Sequence, residues 1–228
     1  MFNKFLCLGM LLLPVAAMAG DTSKRLDAAA DMLSEVMSAP DRGIPMHLLS
    51  RASCIVVVPG MKGAAFVVGA KYGKGFISCR RGSGWSAPGA IRVEGGSFGF
   101  QIGGEDTDVV MLVMNWKGGE RLLSDQFTLG GSASVAAGPV GRASTAQTDP
   151  SMRAEILSWS RNHGIFAGVS LQGATLRQDR GDNAQMYGQP LRNKQIVDGN
   201  VRWPRSGSEF ESVLRKYAWR AHERRRRS

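Results

Sequence analysis

Cysteine and histidine are scarce in this sequence, and their spacing excludes the usual zinc sites. The chain has three cysteines and three histidines among 228 residues, whereas zinc proteins bring such ligands together in closely spaced pairs. No two carboxylates, and no histidine with an aspartate or glutamate, have the spacing of a metal site. The sequence therefore predicts no metal, no cofactor and no catalytic residue.

After the first residues, no apolar run approaches the length of a membrane span. Residues 1–19 carry one early cation, Lys4, then an apolar stretch broken by Pro14, and small residues at Ala17 and Ala19. This order is typical of a secretory signal peptide. A retained membrane anchor is the weaker alternative, because a bilayer span needs roughly 20 consecutive apolar residues. We therefore expect an exported protein, periplasmic or secreted, that is peripheral to the membrane.

Two cysteines, Cys54 and Cys79, follow the expected signal peptide. An even number of cysteines in an oxidising compartment favours a disulfide. The pattern around them indicates three short strands, CIVVVPG, AAFVVGAKYG and GFISCRR, with turns at residues 60–63 and 73–75. Such a meander places the two cysteines at opposite strand ends, so a bond between them requires a bend or closure of the sheet.

Acidic residues are missing between Arg51 and Glu94, where basic residues are frequent. The cations of this segment lie at or beside the expected turns, with Tyr72 and Phe76 among them: Lys62, Lys71, Lys74, Arg80 and Arg81. They have no acidic partner nearby in the sequence. A cluster of this kind suits the phosphate of an anionic lipid head group, although a solvated charged rim explains the same pattern. We predict these five residues as candidate lipid ligands.

Positive charge is concentrated near the C-terminus of the sequence. The whole chain has 29 Lys+Arg against 19 Asp+Glu, a net charge of +10. We predict a signal peptide (1–19), one domain (20–192) and a basic tail (193–228), in which residues 209–227 have helical periodicity. The expected electrostatic arm consists of Arg220, Arg224, Arg225, Arg226 and Arg227. Such an arm binds acidic surfaces; nucleic acid is a less favoured target because of the expected export.

Glycine is plentiful, with 29 residues, and double glycines recur at 95–96, 103–104, 118–119 and 130–131. Between Trp85 and Asn115 they separate three segments that predict strands, with turns at 95–96 and 103–107. Residues 95–99 also match the G-x-S-x-G pattern around Ser97, which in hydrolases lies between a strand and a helix. The residues that follow are strand-like, so the pattern does not favour an enzyme.

Helical periodicity predicts an amphipathic helix from Ser23 to Ala39, a short helix after Pro45, and an internal helix from Pro150 to His163 capped by Asp149. Residues 165–176 read as a strand and residues 183–192 as a loop. The predicted fold class is α+β. A glycine-rich antiparallel sheet curls into a barrel or sandwich and is covered by the N-terminal helix and an internal helix.

Three separated blocks of the sequence resemble the SYLF domain family. They are WSAPGAIRVEGGSFGFQIGGEDTDVVMLVMN, FTLGGSASVAAGPVGR and GIFAGVSLQGATL, beginning at Trp85, Phe127 and Gly164. That family includes eukaryotic membrane-trafficking proteins that bind phosphoinositides, some of which also bind actin, and a secreted bacterial branch. The resemblance implies non-enzymatic binding of an anionic phospholipid. For an exported chain we expect a lipid such as phosphatidylglycerol or cardiolipin.

A structural or scaffold protein of the cell envelope is the alternative function. Such a protein would use its sheet to bind an envelope protein partner and its arginine-rich tail to bind another polyanionic surface.

Overall fold

Ten strands and six helices are formed by the residues that the computed structural model describes, which are 16–39, 43–65, 68–82, 84–98, 103–139, 154–162, 165–169 and 171–227. The strands are β1 Cys54–Ala65, β2 Val68–Arg81, β3 Gly84–Trp85, β4 Gly89–Phe98, β5 Gly103–Val113, β6 Gln126–Thr128, β7 Val135–Ala137, β8 Ile156–Asn162, β9 Ile165–Gly168 and β10 Thr175–Gln178. The helices are α1 Ala16–Ser38, α2 Met46–Arg51, α3 Trp116–Leu122, α4 Arg180–Tyr187, α5 Asn193–Asp198 and α6 Ser208–Arg227.

The strands form one curled sheet, a half-barrel, in the order β6-β10-β4-β2-β1-β5-β8-β7. β3 adds to β2, and β9 adds to β8. The pairs at the centre of the sheet are antiparallel, whereas β7 and β8 are parallel. The predicted α+β class with a curled, mainly antiparallel sheet is therefore confirmed.

The sheet separates two apolar cores, because successive side chains of a strand point to opposite faces. On one face, Ile55, Val57 and Phe76 pack beneath α1, α2 and α6. On the other face, Val56 and Ile77 pack in a second core that also includes side chains of α3 and α5. The middle strands are therefore apolar on both faces, which explains the continuous apolar runs in β1 and β5.

The helices near the two ends of the described chain confirm the predicted periodicity. α1 includes the helix predicted from residue 23, and its side chains Leu26, Leu33 and Val36 are buried. α6 corresponds to the helix predicted over residues 209–227, and it buries Phe210 and Leu214 in the same core as α1. Among the described residues, no helix is long and apolar enough to cross a membrane.

β1 and β2 are two long strands in the segment where the sequence predicted three short ones. β1 includes residues 60–63 and β2 includes residues 73–75, so the turns predicted there are wrong. A register shift between Val57 and Lys62 forms a β-bulge, and Gly60 within it has a φ of +57°. Gly75 lies so close to β1 that a Cβ atom would overlap the carbonyl oxygen of Val57. These glycines therefore permit a bulge and a close approach of two strands.

Glycines also lie inside β4 and β5. β4 passes through residues 95–96 and β5 begins at Gly103, so the turns predicted at 95–96 and 103–107 are wrong. A Cβ atom on Gly95 would lie 3.2 Å from the Cα atom of Ala174, so a neighbouring segment packs directly on this part of the strand. Residues 99–102, which the sequence predicted as strand, lie outside the described part of the chain.

The helix predicted over residues 150–163 is wrong, because Ile156–Asn162 forms β8 between β5 and the strands β7 and β9. Its central residues are buried on both faces of the sheet, and Trp159 donates its indole N–H to the carbonyl oxygen of Pro139 at 3.0 Å. A strand buried on both faces gives an apolar run without strict alternation, which resembles a short helix. The predicted cap Asp149 lies outside the described residues.

The loop predicted over residues 183–192 begins too early, because α4 extends to Tyr187 and only residues 188–192 lie between α4 and α5. α4 is polar, and buried hydrogen bonds hold it in place. Asn183 accepts a hydrogen bond from the backbone N–H of Ala90 at 2.7 Å and donates to Asn193 at 2.8 Å. Residues 165–176, predicted as one strand, are divided between β9 and the first part of β10.

Candidate functional site

A disulfide joins Cys54 at the start of β1 to Cys79 near the end of β2. The two residues are direct register partners, with sulfur atoms 2.10 Å apart and Cα atoms 3.9 Å apart. The predicted bond is therefore present, and the expectation that the cysteines lie at opposite strand ends is wrong. Two long antiparallel strands bring the first residue of one beside the last residues of the other, so the bond needs no closure of the sheet.

Lys62 lies on the exposed part of β1 beside Asp106 of β5. Its Nζ atom is 2.7 Å from the carboxylate, and the two side chains are 71% and 63% exposed. An ion pair this exposed contributes about 0–1 kcal/mol, because water screens both charges. The acidic partner of Lys62 therefore lies outside the segment between Arg51 and Glu94, which contains no acid. This partner holds Lys62 only weakly.

Lys74 belongs to a partly buried ionic cluster that connects three elements. Its Nζ atom lies 2.9 Å from Asp179 and 2.9 Å from Asp182, both at the start of α4, and Arg25 of α1 binds Asp182 at 2.6 Å. Burial alone would lower the pKa of Lys74, but the hydrogen bonds to both carboxylates outweigh this effect and raise it. Burial would also raise the pKa of Asp179, but the bond from Lys74 and the N–H of Asp182 lower it. This lysine stabilises the fold and is not free for a ligand.

Arg80 and Arg81 also contact the protein itself. The guanidinium of Arg80 lies 4.2 Å above the centre of the Trp85 ring and donates to the carbonyl oxygen of Leu49 at 3.0 Å. Burial lowers the pKa of Arg80. Arg81 lies 3.8 Å from a carboxylate oxygen of Asp198 and donates to the carbonyl oxygen of the same residue. Both arginines therefore connect β2 to the helices around it.

Lys71 differs from the other four strand cations, because the described residues provide it with no ion pair. It is half-buried, and its register partners are Gly63 and Gly95. The structure thus does not unite the five predicted cations in one open site. Three of the five, Lys62, Lys74 and Arg81, pair with acids from distant parts of the sequence: Asp106, Asp179, Asp182 and Asp198.

The five arginines of the predicted tail lie on the last turns of α6. The first half of this helix is anchored by Phe210, Leu214 and Tyr217, which are at most 1% exposed. The Tyr217 hydroxyl donates to the carbonyl oxygen of Ser34 in α1 at 3.3 Å. The second half contains Arg220 and Arg224 to Arg227, with Glu223 as its one acidic residue. The basic segment therefore continues a helix that is packed on the domain.

A charged groove that the sequence did not predict lies between α1 and the bulge of β1. It has a volume of ≈ 420 Å³, and its lining includes Arg25, Gly60, Asp108 and Arg161. Asp108 accepts hydrogen bonds from the Gly60 N–H at 2.9 Å and from Arg161 at 2.5 Å, and Arg161 also contacts Glu35. These residues come from four elements far apart in the chain, so no local pattern could reveal them. Their charges are largely satisfied by one another.

Ser97 lies in β4, where its register partner is Gly69. The G-x-S-x-G pattern therefore does not form the strand-to-helix turn that exposes a catalytic serine in hydrolases. His163, at the end of the helix predicted from Pro150, lies outside the described residues.

Comparison with known proteins identifies the family. The model of a family described as "Ysc84: Las17-binding protein actin regulator" matches residues 94–217. The chain belongs to the Ysc84 family. This match confirms the resemblance to SYLF domains, because the two names refer to the same family. The matched region of the Ysc84 family ends at Tyr217, the buried residue that anchors α6.

Several curated members of the Ysc84 family are similar to this chain. The SH3 domain-containing YSC84-like protein 1 of Homo sapiens is 32% identical over 179 residues, which cover 78% of this chain and 52% of that protein. Protein YSC84 of Saccharomyces cerevisiae is 34% identical over 184 residues, which cover 78% of this chain and 39% of that protein. The chain thus spans about half the length, or less, of the curated relatives it matches.

Proposed function

We propose that this protein binds the surface of an anionic phospholipid membrane without catalysing a reaction, and that the arginines of α6 supply most of the attraction. The observation that carries this proposal is a difference between the basic residues of the strands and those of α6. Four of the five strand cations contact the protein itself, whereas the last turns of α6 contain five arginines and one glutamate.

The position of these arginines on an anchored helix supports the proposal. Each basic residue near an anionic membrane contributes about 1 kcal/mol, so five on one short segment give substantial binding. A strand cation such as Lys74 would first have to break its ion pairs with two carboxylates. The free energy lost in this step would be close to the free energy gained by binding the lipid.

Two further observations support binding without catalysis. The family is described as a binding protein and regulator, and Ser97, the residue in the hydrolase-like pattern, is within a strand. The signal-peptide pattern of residues 1–19 supports a place outside the cytoplasm, periplasmic or secreted. In that compartment the anionic lipid would be phosphatidylglycerol or cardiolipin.

A protein partner is the second candidate, and the description of the family as Las17-binding favours it. In this case the protein would be an envelope scaffold. Tyr72 and Trp116 are exposed large apolar side chains of the described residues, with 46% and 40% of their surface accessible. Exposed aromatic residues are frequent at protein interfaces.

Co-sedimentation with lipid vesicles tests the proposal. The purified protein is mixed with vesicles of phosphatidylcholine alone or with added phosphatidylglycerol, at low and at high salt. We expect binding to the anionic vesicles only, and weaker binding at high salt, because salt screens charges over about 8 Å at physiological ionic strength. Equal binding to both kinds of vesicle, or no binding to either, would contradict the proposal and favour the protein partner.

A further inference from the structure

The charged groove between α1 and the bulge of β1 has the size of a small-molecule site. Its volume of ≈ 420 Å³ lies within the range of about 300–1,000 Å³ that is usual for ligand pockets. One wall is formed by α1, and the other by the bulge with side chains of β5 and β8. The groove is therefore large enough to hold a compact ligand.

The lining of the groove has no net charge. It contains three acidic and three basic side chains, which are Asp21, Asp31, Asp108, Lys24, Arg25 and Arg161. A ligand with an excess of charge of either sign gains no overall attraction from such a lining, because attraction requires complementary charges. The balance favours a ligand that itself carries both a positive and a negative group.

Four of these six charges are held by partners within the protein. Arg25 contacts Asp21 at 2.6 Å and Asp182 at 2.6 Å. Asp108 contacts Arg161 at 2.5 Å. These contacts fix the walls of the groove in place, so a ligand meets a shape that exists before it binds.

Lys24 and Asp31 are the charged lining residues without an ion pair or side-chain hydrogen bond in the part of the chain that the structure describes. Both are exposed. Their spacing in the sequence places them on the same face of α1, about 10.5 Å apart along the helix axis. Ala28 lies between them, and Met32 and Pro59 add apolar surface. The groove therefore presents one free cation and one free anion with apolar surface between them.

We propose that this groove binds a short peptide through its free termini, with the carboxylate on Lys24 and the ammonium on Asp31. An extended peptide advances about 3.4 Å per residue, so the charged ends of a tripeptide match the separation of the two side chains. The surface around Ala28 has room for small side chains between the termini. The site uses none of the arginines of α6, so this inference does not depend on membrane binding.

Titration followed by nuclear magnetic resonance tests the site. Isotope-labelled protein receives trialanine, trialanine with an acetylated N-terminus, trialanine with an amidated C-terminus, or phosphoethanolamine. We expect trialanine to shift the backbone amide signals of Gly60 and residues 24–31 and to leave those of α5 unchanged. Each blocked peptide should bind about three- to tenfold more weakly, because one charged contact is lost. Phosphoethanolamine should bind more weakly than trialanine, because its two charged groups are too close together to reach both side chains.

Substitutions assign each terminus to its residue. In Lys24→Gln, amidation of the C-terminus should no longer weaken binding, and in Asp31→Asn, acetylation of the N-terminus should no longer weaken it. Asp27→Asn is the matched control, because Asp27 is an exposed acid of α1 that does not line the groove. This variant should keep both preferences. Ala28→Trp should abolish binding of every peptide by filling the groove, and circular dichroism checks that the variants fold.

The outcomes are independent of the proposed membrane function. If trialanine shifts no signal in the groove, or if both blocked peptides bind as well as trialanine, the inference is wrong. Binding of phosphoethanolamine without binding of trialanine would make the groove a head-group site and would also overturn it. Ala28→Trp should bind anionic vesicles as the unmodified protein does. Failure of the unmodified protein to bind vesicles would contradict the proposed function alone.

Discussion

Gly75 lies directly against the backbone of β1 next to the bulge. Any side chain there meets the backbone of Val57 and Val58, which cannot move without disturbing the sheet. Gly84 is a matched control in β3, because nothing lies within 4 Å of a Cβ atom at that position.

Gly75→Ala should therefore lower the free energy of unfolding by about 1–3 kcal/mol through overpacking. Gly84→Ala should change it by less than about 0.5 kcal/mol. Urea denaturation followed by circular dichroism measures both. Equal denaturation midpoints for the two variants would show that β1 and β2 can separate at Gly75 without cost.

Asp179 makes the stability of the fold depend on pH. Its pKa in the folded protein is lower than its ordinary value of 3.8, mainly because the hydrogen bonds from Lys74 and Asp182 outweigh burial. A group with a lowered pKa stabilises the fold above its ordinary pKa and loses this contribution as the pH falls through the folded value. Lys74 has a raised pKa, so its contribution is lost only in the alkaline range above 10.5.

Asp179→Asn removes the charge but keeps an oxygen that can accept the N–H of Asp182 at the start of α4. We expect it to reduce the free energy of unfolding at pH 7 by about 1–3 kcal/mol, the contribution of a hydrogen bond to a charged group. At a pH below the lowered pKa of Asp179 in the folded protein, and so well below 3.8, the difference from the unmodified protein should become small. Urea denaturation at both pH values measures the effect, and a difference that does not change with pH would exclude the ionic explanation.

Among the elements, those with one apolar face were predictable from the sequence, and those fixed by distant contacts were not. α1 and α6 each expose one side, so their periodicity identified them. β8 is buried on both faces, and its apolar run was mistaken for a helix. α4 has almost no apolar face and depends on Asn183 and on the cap at Asp179, contacts that no sequence window contains. For the same reason the acidic partners of Lys62 and Lys74 could not be predicted.

The hairpin of β1 and β2 is held at its base by the disulfide. Removing it with Cys54→Ala and Cys79→Ala should lower the free energy of unfolding by about 2–4 kcal/mol, because the unfolded chain regains freedom. Chemical denaturation with and without a reducing agent measures this, and the reductant should have little effect on the variant. Mass spectrometry after alkylation should find both cysteines unlabelled in the unmodified protein. Two alkylated thiols would contradict the assignment.

On the scale of the whole molecule, the structure separates positive charge into two groups with different roles. Lys74, Arg80 and Arg81 of β2 connect the sheet to the helices around it, including α4, so changing them should affect folding first. Lys74→Glu would place a third acid beside Asp179 and Asp182 and is therefore unsuitable for testing lipid binding. Lys62 and Lys71 are accessible and can be changed without breaking a buried pair.

The basic part of α6 is the second group, and it follows residues that anchor the helix in the core. The sequence alone predicted the helix and its charge. It did not show that the first half of α6 packs into the same core as α1. A change restricted to residues 224–227 should consequently alter the charge of the molecule while the core contacts of Phe210, Leu214 and Tyr217 persist.

The measurement that tests the central claim most directly is the salt dependence of vesicle binding for matched variants of α6. Arg224 to Arg227 are replaced together by glutamine or by lysine, and Lys62→Gln with Lys71→Gln serves as the strand variant. We predict that the glutamine variant loses most of its affinity for phosphatidylglycerol vesicles and most of its salt dependence, since about 1 kcal/mol is lost with each cation. The lysine variant should keep most of both, and the strand variant should lose less than the glutamine variant. Unchanged affinity and salt dependence in the glutamine variant would contradict the claim that α6 provides the attraction.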